Sequence, residues 1–151
     1  MNILREMNAD TELLIAGLLH DVVEDAGVSV DEIRRLFGED VAELVAGHSE
    51  DKTKQWKERK EEDIRATAEG SMRLKMLVMA DKVSNLRALY FDFRNLGELV
   101  WERFKTPAKM QAWYYSQIID ALFELQYQEN TKSVYWEMCG FYKDIFVTHH
   151  Y

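Results

Sequence analysis

Apolar residues recur along this chain at intervals of three and four, the spacing that places side chains on one face of an α-helix. Residues 10–25 predict the first such helix, with Asp10 or Thr11 as its cap. Its apolar stripe begins at Leu13 and extends to His20, so this imidazole is predicted to face the core. The ordinary role of a lone histidine at such a position is that of a hydrogen-bonded core side chain.

Further helices follow, most of them with recognisable start and stop signals. Ser29 and Glu32 form a capping box before a second helix, which ends at Gly38, and a third helix ends at Gly47. Longer helices are predicted at residues 72–90, after Thr106–Pro107, and at residues 132–146. Two-residue alternation is scarce, so the pattern predicts an all-α fold.

Composition narrows the class of protein. A chain of 151 residues, 47% of them apolar, suits one folded domain over residues 1–151. The formal net charge of −8 argues against broad binding to nucleic acid or anionic membranes, but it permits a nucleotide at a locally positive site. Cys139 is the single cysteine and cannot form an intrachain disulfide. We expect a soluble cytoplasmic protein, with His149 and His150 in a disordered tail.

Acidic residues crowd the end of the first predicted helix. On a helix His20 and Glu24 share one face, and Asp21 and Asp25 share the next. Like charges packed this closely repel one another, and a plain apolar core does not gather carboxylates around a histidine. The cluster therefore predicts a bound cation, for which a metal ion is a candidate.

A second polar pair lies on the core-facing stripe of residues 72–90, where Asp81 and Asn85 replace apolar residues. Burying a carboxylate without a partner costs a free energy on the order of several kcal/mol. Asp81 therefore needs a cation, a basic residue or a set of hydrogen-bond donors as its partner. Asn85 is alternatively a polar core group. If the two polar pairs meet, His20, Asp21 and Asp81 form a mixed nitrogen and oxygen site, suited to Mn²⁺, Fe²⁺, Co²⁺ or Mg²⁺.

Residues 48–65 are highly charged and suggest a solvated loop that leads into an exposed helix. A narrower interpretation is functional. Lys52, Lys54 and Arg59 provide the positive lip that an anionic substrate needs in an acidic protein.

The motifs together carry a family resemblance. They are LLHDVVED at 18–25, EDKT at 50–53, ERK at 58–60 and ADKVSNLR at 80–87. This combination resembles the HD superfamily of metal-dependent phosphohydrolases. Within it, the chain resembles the hydrolase domain of Rel/SpoT-type alarmone enzymes and the small stand-alone alarmone hydrolases. The similarity covers about residues 10–90 well and is weaker to about residue 125.

The resemblance implies a compact multi-helix HD-domain fold and a set of site residues. The implied metal ligands, typically for Mn²⁺, are His20, Asp21 and Asp81. The implied catalytic pair that handles the attacking water is Glu24 and Asp25. The implied substrate contacts are Asn85, Lys52, Lys109 and Tyr114. The implied reaction removes the 3′-pyrophosphate from guanosine tetra- or pentaphosphate, or from a related nucleotide.

The chain departs from the family pattern before His20. Family members supply a further metal-binding histidine and an Arg/Lys pair from earlier helices, and the 19 residues before His20 contain no histidine. We therefore expect one HD-type domain that lacks the family's first helices, with weakened metal affinity and low activity. The alternative is a truncated domain that binds a nucleotide or a partner without efficient turnover. A purely structural helical protein is a third possibility, but it leaves the acidic residues without a cation.

Overall fold

The structure, a computed structural model, describes residues 2–151 apart from the side chain of Glu24. Within that range the chain forms helices and no strand, which confirms the predicted all-α fold. The α-helices are α1 (Asn2–Glu6), α2 (Thr11–Ala26), α3 (Val30–Phe37), α4 (Glu39–Gly47), α5 (Trp56–Glu69), α6 (Met72–Leu96), α7 (Ala108–Ala121) and α8 (Lys132–Tyr142). Shorter 3₁₀ segments occur at Gly97–Arg103 and Phe123–Tyr127, and a π-helical turn at Lys143–Val147.

Side-chain caps start the helices that carry the site. Asp10 accepts a hydrogen bond from the backbone N–H of Leu13 at 2.9 Å, and Ser71 accepts one from the N–H of Leu74 at 3.2 Å. Gly27 ends α2 with a φ of +67°, a left-handed conformation that glycine adopts without strain. These local signals explain why the predicted limits of α2 and the predicted start of α6 lie close to those in the structure, whereas α6 continues beyond the predicted residue 90 to Leu96.

Helix α6 runs through the centre of the molecule. It packs against α1, α2, α4, α5 and α8, and its buried side chains form much of the core. The turn at Gly70–Ser71 connects α5 to α6, the two helices form a hairpin, and α7 packs against α5. Within residues 2–151, no helix combines the length and the apolar character that a bilayer crossing requires.

The C-terminal residues pack onto the fold. The Trp101 indole N–H donates to the Tyr151 hydroxyl at 2.8 Å, and the His149 ring lies 4.5 Å from the ring of Phe93. The prediction of a disordered tail was wrong for His149. The aromatic side chains of the segment after α8 find apolar partners on the segment after α6, which sequence periodicity does not reveal.

Candidate metal centre

Three side chains that commonly bind metals meet from three parts of the chain. His20 comes from α2, His48 directly follows α4, and Asp81 comes from the middle of α6. His20 Nε2 lies 3.6 Å from Asp81 Oδ1, and His48 Nε2 lies 3.3 Å from Asp81 Oδ2. One candidate ligand atom from each residue falls within 4.8 Å of the other two. The arrangement places two imidazole nitrogens around one carboxylate.

Local contacts orient the two rings. His20 Nδ1 lies 3.1 Å from the Gly17 carbonyl. A neutral imidazole that donates to this oxygen from Nδ1 would offer the Nε2 lone pair to a metal ion, and in the absence of an ion a protonated Nε2 can donate to Asp81. His48 Nδ1 is buried and has no hydrogen-bond partner among the described residues. Its ring centroid lies 5.0 Å from that of His20. Both Nε2 atoms are therefore directed at the same carboxylate.

The electrostatics of the cluster suit a cation. Burial raises the pKa of the Asp81 carboxyl, but the Lys82 charge and the hydrogen bonds from His20 and His48 outweigh burial and hold that pKa well below its usual range. The hydrogen bond to Asp81 raises the pKa of His20, against the opposing effect of desolvation. Two imidazoles and one ionised carboxylate form a donor set that fits a divalent transition metal.

The cluster opens into a cavity of about 260 Å³. Its walls are formed by His20, Asp21, His48, Glu50, Lys60, Asp63, Asp81, Lys82 and Asn85. A second cavity of about 170 Å³ adjoins it and shares Lys60, Lys82 and Asn85 with it. The second cavity is lined further by Trp56, Phe104, Lys105, Thr106, Gln111, Tyr114 and Tyr115. A ligand that occupies both cavities can therefore contact the cluster of His20, His48 and Asp81 at one end and aromatic and cationic side chains at the other.

The predicted acidic residues of α2 lie at the rim of this site. Asp21 Oδ1 is 3.0 Å from His20 Nε2, but the Asp21 side chain is 71% exposed. Asp25 is 73% exposed and lies 3.6 Å from the Lys52 ammonium. Asp21 and Asp25 share a helix face that lies about 100° around the axis from the face of His20, and this face is turned toward solvent. The Glu24 side chain lies outside the described part.

The predicted substrate residues have different surroundings. Asn85 is exposed at the junction of the two cavities, with its Nδ2 3.5 Å from Asp81 Oδ2. Tyr114 is buried, donates a hydrogen bond to Asp63 and forms part of the second cavity. Lys109 is exposed and is not among the described residues that line either cavity.

The cationic side chains that line the two cavities are not the ones that the sequence predicted for a positive lip. Arg59 is paired with Glu50, at 3.1 Å between Nη1 and Oε2, and Lys54 is paired with Glu62. The cations that line the cavities are instead Lys60, Lys82 and Lys105.

Five residues of the first cavity were given no site role from the sequence: His48, Glu50, Lys60, Asp63 and Lys82. His48 and Glu50 stand at the head of a highly charged run, and the other three are ordinary charged residues of helices. The signal that was available for His48 is its position directly after a helix end, since residues that follow a helix often line a site.

Comparisons with known proteins identify the family of this chain and several relatives. Residues 1–95 match a family model described as HD domain. The guanosine-3′,5′-bis(diphosphate) 3′-pyrophosphohydrolase MESH1 of Drosophila melanogaster is 45% identical over 80 residues, which are 53% of this chain and 45% of that protein. The bifunctional (p)ppGpp synthase/hydrolase SpoT of Escherichia coli K12 is 38% identical over 93 residues, which cover 58% of this chain and 13% of SpoT. The aligned part is thus less than half the length of these relatives.

Solved structures share the whole fold. The crystal structure of lmo0812 from Listeria monocytogenes EGD-e superposes with a TM-score of 0.85 at 36% identity, and the match covers 97% of this chain and 95% of that one. A metazoan ortholog of SpoT that hydrolyses ppGpp superposes with a TM-score of 0.68 at 28% identity, over 90% of this chain and 70% of that one. These matches confirm the resemblance drawn from the motifs. The chain belongs to the HD domain family.

Proposed function

We propose that this chain is a metal-dependent phosphohydrolase that removes the 3′-pyrophosphate from guanosine tetra- or pentaphosphate, or from a related nucleotide. The observation that carries the proposal is the cluster of His20, His48 and Asp81 at the end of a cavity whose wall contains Lys60 and Lys82. A divalent cation and a phosphorylated ligand are both accommodated by such a cavity. The relatives MESH1 and SpoT, which are (p)ppGpp hydrolases by name, supply the substrate class.

Each residue of the site has a role in this proposal. His20, His48 and Asp81 hold the ion, for which Mn²⁺ is the proposed metal, and Asp21 joins them because its carboxylate oxygen already lies beside the His20 nitrogen. When bound, the ion lowers the pKa of a bound water and polarises a phosphoryl oxygen. Asp25, with Glu24, is proposed to accept the proton of the attacking water from the rim.

The second cavity is the proposed place for the nucleoside. Trp56 and Phe104 offer flat apolar surfaces to a base, and Lys105 offers a charge to a phosphate group. Asn85 lies between the two cavities, where it can contact the ribose. Lys52 and Lys109 lie on the surface and are not among the described residues that line the two cavities. Their contacts with phosphate groups therefore stay predictions.

Pyrophosphate release tests the proposal. The purified protein is incubated with Mn²⁺ and guanosine tetraphosphate, and the product is measured over time. Asp81→Asn is expected to reduce the rate about 100-fold or more, because it removes the only carboxylate of the three-residue cluster. Asp92→Asn is the matched control, since Asp92 lies on the same helix but pairs with Arg103 on the surface.

Three outcomes separate the alternatives. Release that depends on Asp81 supports the enzyme. Nucleotide binding in calorimetry without release from any guanosine or related nucleotide supports the non-catalytic domain. Equal rates in Asp81→Asn and Asp92→Asn contradict the assigned site. The low activity expected from the sequence stays a prediction, as does a cytoplasmic location, which rests on the free, half-buried Cys139.

A further inference from the structure

A buried lysine lies between two carboxylates beneath the metal cluster. Lys82 is 6% exposed, and its ammonium donates a hydrogen bond to Asp81 Oδ2 at 3.0 Å. The same ammonium lies 4.0 Å from Oδ2 of Asp63, which is 7% exposed. Only Asp81 belongs to the metal cluster. One buried cation therefore has one acidic partner at the candidate metal site and another beside it.

The position of Lys82 creates a competition for Asp81. Its ammonium donates a hydrogen bond to Asp81 Oδ2, and the same oxygen lies 3.3 Å from His48 Nε2. A divalent ion at the cluster attracts the same carboxylate and repels the same ammonium. The closer Lys82 stays to Asp81, the weaker the binding of the ion must be.

Asp63 offers the ammonium a second position. A charge-assisted hydrogen bond between an ammonium and a carboxylate is about 2.8 Å long, so Lys82 needs to move by only about 1 Å to bond to Asp63. The lysine side chain is flexible enough for such a shift. Asp63 itself is held in place, because the buried Tyr114 hydroxyl donates a hydrogen bond to it.

Glu50, another carboxylate of the cavity, does not offer the Lys82 ammonium an alternative partner, because two other cations already bind it. Lys60 is paired with Glu50, and Arg59 is paired with the same carboxylate. Asp63 is thus the acidic side chain, among the described residues near the Lys82 ammonium, that is free of the metal cluster and within a short shift.

We propose that Asp63 is a positioning residue for the metal centre. It draws the Lys82 ammonium away from Asp81 and so frees the Asp81 carboxylate for the ion. Lys82 stays charged throughout, and no proton is transferred. The inference rests on the metal site of the proposed function, but not on the identity of the nucleotide.

Mn²⁺ titrations of the metal-free protein by calorimetry test this role without any substrate. Asp63→Asn is expected to weaken Mn²⁺ binding about tenfold, because Lys82 then bonds to Asp81 alone. Lys82→Met, which removes the competing charge at similar volume, is expected to tighten binding. In the Lys82→Met background, Asp63→Asn is expected to change the Kd by no more than about twofold. Asp63→Glu is the conservative variant expected to restore binding.

Each result decides the proposal. An unchanged Kd in Asp63→Asn overturns it while leaving the metal site intact. An equal loss in the Lys82→Met background also overturns it, because Asp63 then acts on the ion directly. If Asp63→Asn fails to fold, as circular dichroism would show, Lys82→Met alone decides, and an unchanged or weaker affinity overturns the proposal. A wild-type protein that binds no Mn²⁺ overturns both this inference and the proposed function.

Discussion

Single residues set the chemistry of the candidate site, and His48 illustrates this best. Its imidazole is almost fully buried, its Nδ1 has no hydrogen-bond partner among the described residues, and its Nε2 faces Asp81. The unpartnered Nδ1 costs free energy in the buried state. Because Nε2 faces the carboxylate that would hold the ion, we infer that this cost accompanies a role of His48 as a metal ligand.

Replacing His48 tests its role as a ligand. His48→Ala is expected to weaken Mn²⁺ binding about tenfold or more, because one of two imidazole donors is lost. Calorimetric titration measures the Kd. His149→Ala is the matched control, since the His149 imidazole packs against Phe93 and does not belong to the cluster of His20, His48 and Asp81. Similar affinities for the two variants would show that His48 is a structural core residue.

Glu50 gives the stability of the protein a specific dependence on pH. Burial raises the pKa of this carboxyl, but the hydrogen bond and charge of Lys60 outweigh burial and lower the pKa below its usual value of 4.5. The stabilisation is therefore complete above about pH 4.5 and is lost as the pH falls through the lower pKa of the folded state.

Glu50→Gln should remove this dependence. At pH 7 the variant is expected to be less stable by about 1–2 kcal/mol, because Lys60 and Arg59 lose a partly buried charged acceptor. The difference from wild type should shrink as the pH falls below about 4.5, first because the unfolded wild-type chain takes up the proton and then because the folded carboxyl does. Urea unfolding at a series of pH values measures both effects. A constant difference down to pH 3 would contradict the assignment, and Glu69→Gln controls for the loss of a charge on the surface.

The sequence identified part of the site at this scale. His20 and Asp81 were predicted to meet because each interrupts an apolar stripe at helical spacing. Asp63 and Lys82 carried no such signal, because a charged residue of a helix is normally solvent-exposed. Their burial depends on which helix packs against which, and that is a property of the tertiary structure.

At the scale of elements, the hairpin of α5 and α6 positions most of the site. It brings Asp63 of α5 to the side of α6 that carries Asp81 and Lys82. The turn between the helices is tight at Gly70. A Cβ atom there would lie 2.8 Å from the Ala66 carbonyl oxygen and 2.6 Å from a Leu74 methyl group. The close approach of the two helices therefore requires a glycine.

Two glycine substitutions with opposite expected signs test the hairpin. Gly70→Ala is expected to destabilise the fold by about 1–3 kcal/mol, because the backbone contact forces a shift of the turn. Gly140→Ala should instead stabilise it by about 0.5–1 kcal/mol, since Gly140 lies in α8 with nothing within 4 Å of the added Cβ. Chemical denaturation measures both. A neutral Gly70→Ala would show that the turn tolerates a side chain.

Helices were predictable where caps and periodicity coincide. Ser29 and Ser71 cap helices at the predicted places, since their hydroxyl groups bond to backbone within three residues. The 3₁₀ segment Gly97–Arg103 was not predicted, because it is short and its Trp101 owes part of its packing to Phe146 and Tyr151, far along the chain. Local interactions leave local sequence signals, and long-range packing does not.

At the scale of the whole molecule, the candidate metal centre links distant parts of the chain. His20, His48 and Asp81 belong to different helical segments: α2 packs against α4, and both helices pack against α6. Three ligands on separate elements exist as a set only in the folded state. Metal binding must therefore stabilise the fold.

Thermal unfolding with and without Mn²⁺ measures this linkage. At a free ion concentration of about 100 times the Kd, binding to the folded state alone adds about 2.7 kcal/mol. For a domain of this size, that corresponds to a rise in Tm of about 5–10 °C. Asp81→Asn should remove most of the rise, whereas Asp92→Asn should keep it, because Asp92 lies on the surface of the same helix. An equal rise in both variants would mean that Mn²⁺ binds elsewhere on this acidic protein, whose formal net charge is −8. Added chelator should reverse the rise in wild type, since the stabilisation requires the ion to stay bound to the three side chains that folding brings together.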